Sequence, residues 1–330
     1  MEHTTIKNSK IEPASKVALG TWAIGGWMWG GTDEAEAIRT IHEALDLGIN
    51  VVDTAPVYGF GRSEEIVGKA IAEKGTRDQV IIATKVALNW KDGQPFRDAS
   101  KERIEQEIND SLARLKTDYI DIYQIHWPDP KVPMEETAEA MRKLHESGKI
   151  RAIGVSNFSP SQMQEFQKVA PLHTVQPPYN LFEREIEQDV LPYAREQELT
   201  SLFYGSLCRG MLSGRMTMDT QFGGDDLRNA DPKFQPDRRS QYLSAVDELN
   251  AWVQQAYGKS VIHLAVRWIL DQPGSNIALW GARKPSQLDP VKDVEGWHLT
   301  QEDFKVIDEI VNKHVKNPVG PEFMAPPAKP

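Results

Sequence analysis

Eight short apolar runs, separated by segments with helical periodicity, set the tightest limit on what this chain can fold into. The runs fall at 17–19, 51–52, 80–85, 120–125, 150–155, 173–176, 200–204 and 277–280. Strands with a helix between each pair lie side by side and parallel. Eight such units favour a closed (β/α)8 barrel of the α/β class. The intervening segments carry the marks of helices. Asp33 with Glu36 forms a capping signal, Ile38, Ile41 and Leu45 share one face, and Gly48 ends the helix. Ile104, Ile108, Leu112 and Leu115 give the same stripe in the helix that starts near Lys101. Further helices are predicted at 63–73, 134–146, from 160, at 185–197, 240–257 and 260–271.

Three segments break this rhythm. The glycine-rich stretch 25–31 carries Trp27 and Trp29 and lacks the Lys-Ser/Thr of a phosphate-binding loop, so it reads as a first rim loop walling a pocket. Residues 205–239, rich in Gly, Asp, Arg and Pro, are too long for an ordinary connector, and such loops are usually functional. Residues 317–330 hold five prolines and read as an extended tail on a domain spanning 1–330.

Composition narrows the function classes. A formal charge of −10 argues against nucleic acid or an anionic membrane as the main partner. It also requires any anionic cofactor to find a local basic cluster. Cys208 is the single cysteine, so no internal disulfide forms and a reducing, cytoplasmic setting is expected. No apolar run approaches the ~20 residues that span a bilayer. Neither HExxH nor GxSxG occurs, and no metal site is expected. The stretch from Gly59 to Glu64 fails as a dinucleotide loop, because Glu64 replaces the third glycine and Lys85 stands where an acid is required. The charge balance assigns no oligomeric state.

Asp53, Tyr58, Lys85 and His126 each lie at, or just past, the end of one of three successive strands. Adjacent strands run ~5 Å apart, so these groups share the C-terminal rim of the barrel. Polar groups ending buried strands carry a burial cost unless they bond one another. An acid, a cation, a phenol and an imidazole meeting in one site point to proton transfer coupled to a second event.

The segment from Gly48 to Gly59 (GINVVDTAPVYG), with Ser63-Glu64, Thr84-Lys85 and Ile125-His126-Trp127, resembles the aldo-keto reductase superfamily. The likeness runs from about residue 19 to 288. It implies a TIM barrel with NADPH extended across the rim and Asp53, Tyr58, Lys85 and His126 as its catalytic four. Tyr58 would donate a proton to a carbonyl oxygen, Lys85 would lower its pKa, Asp53 would orient Lys85, and His126 would hold the substrate oxygen. Ser156, Asn157 and Gln176 match positions that hold the nicotinamide amide, and Tyr204 offers a stacking ring. Gly205, Ser206, Leu207 and Gly210 match the pyrophosphate segment, and Gly281, Arg283, Lys284 and Gln287 the segment at the other end. Arg283 and Lys284 would receive the 2′-phosphate, favouring NADP over NAD. The long loop and the tail would close over cofactor and substrate.

The chain departs from the superfamily at Gly205 and Cys208, where serine and glycine are expected, and at Val291, where many relatives carry asparagine. Trp22, Trp27, Trp90 and Trp127, with Trp29, would wall a pocket for a small carbonyl or alcohol. Within the superfamily these segments resemble the bacterial NADP-dependent glycerol dehydrogenases, or glyceraldehyde reductases. A broad aldehyde, ketone or sugar reductase uses the same residues. An NADPH-sensing regulatory subunit, similar to potassium-channel β subunits, shares the fold. A non-redox barrel isomerase or aldolase would leave Arg283 and Gln176 without a role.

Overall fold

The computed structural model describes residues 1–329; Pro330, the last residue of the tail, lies outside them. Strands β1 (Val17–Gly20), β2 (Val51–Asp53), β3 (Ile81–Val86), β4 (Ile120–Ile125), β5 (Ile150–Ser156), β6 (Thr174–Gln176), β7 (Thr200–Phe203) and β8 (Ser275–Gly281) form a closed barrel. Every neighbouring pair is parallel, and Gly281 opposite Gly20 closes the ring. This is the (β/α)8 TIM barrel that the alternation predicts.

Among the described residues, the single helical turn Trp22–Gly25 and nine longer helices surround or abut it: α1 (Glu34–Asp46), α2 (Arg62–Lys74), α3 (Lys101–Leu115), α4 (Met134–Glu146), α5 (Pro160–Gln167), α6 (Val190–Glu196), α7 (Pro236–Tyr257), α8 (Val261–Leu270) and α9 (Gln301–His314). Asp33 caps α1 by accepting from the Glu36 amide, as its spacing predicts. The helix expected over 185–197 splits into a 3-10 turn, Glu185–Glu187, and α6. Helix α7 begins earlier than its apolar pattern, because Pro236 sits in its first turn, where no N–H is needed. None of the helices among the described residues is long and apolar enough to cross a membrane.

Two hairpins and α9 lie outside the repeating unit and were not among the predicted elements. His3–Ile6 pairs with Ile11–Ser15, and Ile6, Ile11 and Ala14 pack onto Val51, Ile81 and Ile277. The hairpin thus plugs the N-terminal mouth and leaves the opposite rim open. Leu88–Lys91 pairs with Gln94–Arg97 just after β3, raising a wall on that rim. Helix α9 starts at a Thr300–Asp303 capping box and buries Ile307, Ile310 and Val311.

Side chains alternate along β5. Ile153 and Val155 face the outer core with the helices, whereas Ala152 belongs to the barrel interior. Gly154, facing inward as well, has no room to grow: a Cβ there would sit 2.2 Å from Thr174 Oγ1 and 2.7 Å from Gln124 Cγ. Gly154→Ala should therefore destabilise the barrel by about 1–3 kcal/mol through overpacking. Denaturant unfolding with an unchanged slope and a lowered midpoint is the expected result.

Candidate active site

The rim residues reach their positions through the loop after β2. Tyr58 sits five residues beyond Asp53, on a turn pressed against the first rim loop. Gly25 and Gly59 make that contact possible. A Cβ on Gly25 would lie 2.6 Å from the Tyr58 carbonyl oxygen, and one on Gly59 would lie 2.2 Å from the Gly25 oxygen. Gly59 also takes φ +69°, which favours glycine. Thr21 donates to the Asp53 carbonyl at 2.9 Å and shares a hydrogen bond with Ser63 at 2.8 Å, while Thr54 donates to Ser63 at 2.9 Å.

Lys85 is fully buried, and its ammonium has three partners: Asp53 Oδ1 at 2.6 Å, the Thr54 carbonyl at 3.0 Å and the Tyr58 hydroxyl at 3.2 Å. The other oxygen of Asp53 accepts from Gln176 Nε2 at 2.8 Å and Gln124 Nε2 at 3.4 Å. His126 meets the Tyr58 ring edge-on at 5.9 Å. Glu64, an obstacle to phosphate in the sequence, turns inward. It accepts from Thr84 and from Arg114, each at 2.6 Å, and so clamps the strand that carries Lys85.

The charges differ from the expectation for Tyr58. Burial pushes its phenol well above the ordinary value, and the Asp53 carboxylate pushes the same way. Lys85 does not reverse this, because Asp53 sits against its ammonium and the pair is close to neutral as seen from the phenol. Burial lowers the Lys85 pKa, while Asp53 opposes that and favours the cation. Burial, then the Lys85 charge, hold the His126 imidazole well below its usual range. The site therefore presents a protonated phenol and a neutral imidazole near neutral pH.

A cavity of about 550 Å³ runs across the rim. It is lined by Asp53, Tyr58 and His126, by Ser156, Asn157, Gln176 and Tyr204, by Gly205, Ser206, Leu207 and Gly210, and by Gly281, Arg283 and Gln287. Lys85 stands behind this wall and acts on it through Tyr58. Trp22, Trp27, Trp29 and Trp127 also face the cavity. Trp90 does not; it packs on Phe60 at 5.5 Å, which in turn meets Trp27 at 4.9 Å. Lys284 is exposed, 3.9 Å from Glu36, and lies off the lining. Gln287 accepts from the Arg283 and Lys284 amides and so shapes their turn.

Several lining groups carry no mark of that role in the sequence. Arg228 enters from the long loop, held by Asp226, with its guanidinium 5.2 Å from the Trp29 ring. Gln94 and Pro95 come from the hairpin, and Phe323, Met324, Pro326 and Pro327 from the tail. The long loop crosses the rim to meet the first loop. Asp225 accepts from the amides of Met28 at 2.7 Å and Gly30 at 3.0 Å, and Leu227 donates to the Met28 carbonyl. Arg283 completes this roof with a 2.6 Å bond to the Trp29 carbonyl.

The lining suits an extended dinucleotide. Asn157 accepts from the Tyr204 hydroxyl at 2.8 Å and fixes the aromatic ring in the wall. Among the described residues, the Ser206 and Leu207 amides donate to no group of the chain. Three arginines line the cavity in a chain of charge −10: Arg228 and Arg283, and Arg209, whose guanidinium is paired with Glu183 and Asp231.

Residues 16–312 match the aldo/keto reductase family. The chain belongs to that family. It is 64% identical over 329 residues to aldo-keto reductase YhdN of Bacillus subtilis, covering 100% of this chain and 99% of that one. The solved glycerol dehydrogenase AKR11B4 of Gluconobacter oxydans superposes with a TM-score of 0.87 at 57% identity, over 96% of this chain and 98% of that one. The NADH-specific methylglyoxal reductase of Escherichia coli is 38% identical over 291 residues, 83% of this chain and 87% of its own. This aldo/keto reductase is an oxidoreductase of the nicotinamide-dependent, carbonyl-reducing kind.

The charge states give a test of the four groups. With Tyr58 as the proton donor and His126 as its neutral partner, reduction would need Tyr58 protonated, which a raised pKa maintains up to and beyond about pH 10, and His126 neutral, which a lowered pKa maintains down past about pH 6.5. Reductive turnover should therefore be level between those limits. Alcohol oxidation, which would then need the phenolate, should climb up to ten-fold per pH unit across the same interval. A maximum near pH 8 in the oxidative direction would contradict the raised phenol pKa.

Proposed function

We propose that this enzyme transfers hydride between NADP and a small carbonyl/alcohol pair such as glyceraldehyde and glycerol, with Tyr58 as general acid and base. The observation that carries the proposal is the Asp53–Lys85–Tyr58 chain, at 2.6 and 3.2 Å, ending in a phenol on an aromatic-walled cavity. When bound, the nicotinamide supplies a hydride to the carbonyl carbon. Tyr58 then gives its proton to the carbonyl oxygen, and Lys85 stabilises the phenolate left behind. His126, neutral and facing Tyr58, hydrogen-bonds the same oxygen and sets its approach.

Ser156, Asn157 and Gln176 would hold the nicotinamide amide, and Tyr204 its ring. Ser206, Leu207 and Gly210 would receive the pyrophosphate. Arg283 and Arg228 favour a phosphorylated cofactor, since guanidinium pairs with phosphate through parallel hydrogen bonds. Lys284, exposed beside Glu36, is the weaker partner.

The carbonyl end would be walled by Trp22, Trp27, Leu88, Trp127, Phe323 and Met324, all lining the same cavity, with Gln94 as a polar contact. Trp22 stacks on Tyr58 at 5.8 Å with an interplanar angle of 21°. That combination supports a compact substrate with a hydroxyl near the carbonyl, and the likeness to a glycerol dehydrogenase supports the same class. A broader range of aldehydes is the second reading, favoured by the largely apolar walls.

Cofactor consumption with glyceraldehyde, methylglyoxal and a panel of ketones and sugars, using NADPH and NADH in parallel, tests this directly. NADPH should dominate, and Arg283→Ala should raise its KM by about 10–100-fold while leaving the NADH value near wild type. Equal use of both cofactors by the wild type would remove the NADP assignment. Tyr58→Phe should lower turnover by about 10²–10⁴-fold with NADPH affinity nearly unchanged; near-normal turnover would remove Tyr58 from the chemistry.

A further inference from the structure

The roof loop and the C-terminal tail converge on one buried side chain. Resting on the carbonyl-reductase reading, we propose that Lys233 is a positioning residue that sets the carbonyl end of the pocket by anchoring the tail to the cofactor-side loop.

The Lys233 ammonium is fully buried with four acceptors around it: Glu183 Oε1 at 2.8 Å, Asp231 Oδ1 at 3.3 Å, and the carbonyls of Val319 and Gly320, each at 3.1 Å. The two carboxylates are also partners of Arg209, whose Nε donates to Asp231 at 2.6 Å and whose Nη2 donates to Glu183. Two cations and two carboxylates make a neutral buried cluster, the condition under which charges tolerate loss of water. What Lys233 holds and Arg209 does not is the tail backbone.

Each partner leads to a different part of the pocket. Arg209 lines the cavity between Leu207 and Gly210, with φ +53° in the left-handed region that costs a non-glycine residue ~1 kcal/mol or more. Its ionic partners hold that backbone in place, and with it the wall proposed for the pyrophosphate. On the other side, three residues past Gly320, Phe323 lines the cavity with its ring 6.0 Å from Lys233 Nζ and 5.8 Å from Arg209 Cζ. The far end of this stretch is fixed separately. Arg97 binds the Pro327 carbonyl through its amide at 2.9 Å and the Pro326 carbonyl through Nε at 2.8 Å. Residues 321–325 therefore span the carbonyl end between two anchors. Lys233 is the one that shares carboxylates with the cofactor wall.

The test is a double-mutant cycle in the full chain. Lys233→Met keeps the aliphatic stem and removes the donors; Phe323→Ala removes the wall that the tail presents. Each should raise KM for the carbonyl substrate about ten-fold, with kcat and the NADPH dissociation constant changed less than about two-fold, and the double variant should be no worse than the poorer single one. Multiplicative effects would overturn the proposal, since they would mean that Lys233 does not act through the tail. An unchanged KM in K233M would overturn it too. If K233M does not fold, Lys233→Arg, which keeps the charge but not the ammonium geometry, enters the same cycle with the same criteria. Hydrogen exchange gives a readout independent of turnover. Amides in 317–325 should exchange faster in the variant while those of β3 and β4 do not, and unchanged tail exchange would overturn the assignment. If the wild type reduces no carbonyl, the reductase reading fails and the exchange comparison alone decides the role of Lys233.

Discussion

Lys85 carries its ammonium at the end of a strand that is buried along its whole length, 2.6 Å from Asp53. Taking two such charges out of water costs several kcal/mol per ion, so the pair persists only where other groups complete its hydrogen bonds. The barrel supplies them from four directions. Thr54 and Tyr58 accept from the ammonium, and Gln176 and Gln124, from β6 and β4, donate to the carboxylate. Shifting any of these strands by one residue would turn the donor to the other face and leave a charge unpaired. The register of one half of the barrel and the chemistry of the rim are therefore one constraint.

That constraint explains the state of Tyr58. A lone buried lysine would pull a neighbouring phenol toward phenolate, but a lysine already matched to a carboxylate cannot do so at full strength. The phenol keeps its proton, which suits donation to a carbonyl oxygen. On the proposed mechanism, what Lys85 adds would be realised after the proton has left, when a negative oxygen 3.2 Å away would gain a charge-assisted partner. An interaction that strengthens as charge develops lowers the barrier, whereas one already complete in the resting state does not.

The barrel and the meeting of its four rim residues were legible in the sequence, whereas the raised phenol pKa, which depends on burial and on Asp53, was not. Eight apolar runs specify eight strands, and the four rim residues come together because strand ends must share a rim. Chain order is enough for that inference. Gln124 is a different case: a single amide inside the apolar run 120–125 carries no local mark of its role, which depends on Asp53 two strands away. Arg228 was hidden in a loop rich in charges of both signs, where only folding separates a cavity-lining guanidinium from a solvated one. The hairpins are short and the tail has no periodicity, so their places follow from tertiary contacts such as Arg97 with Pro326 and Pro327. Helix α9 did leave a signal, in the Thr300–Asp303 cap and the Ile307, Ile310, Val311 stripe, but it lies outside the repeating unit that organises the rest.

The pocket divides by the kind of chain that builds it. Groups that would bear on the proton or on the nicotinamide amide under the proposed function stand on strand ends or on short turns locked to them, as Tyr58 is by Gly25 and Gly59. Groups that would meet the rest of the substrate stand on a hairpin, a rim loop and a tail, held by bonds to backbone carbonyls or by aromatic contacts. The Asp53–Lys85 pair and its amide donors take no hydrogen bond from the second set, although Trp22 of the rim loop stacks on Tyr58. A barrel arranged this way can exchange substrates by altering loops while keeping one reaction. The exception is the cluster of Glu183, Arg209, Asp231 and Lys233, in which the loop beside the cofactor end and the tail beside the carbonyl end share the same buried charges.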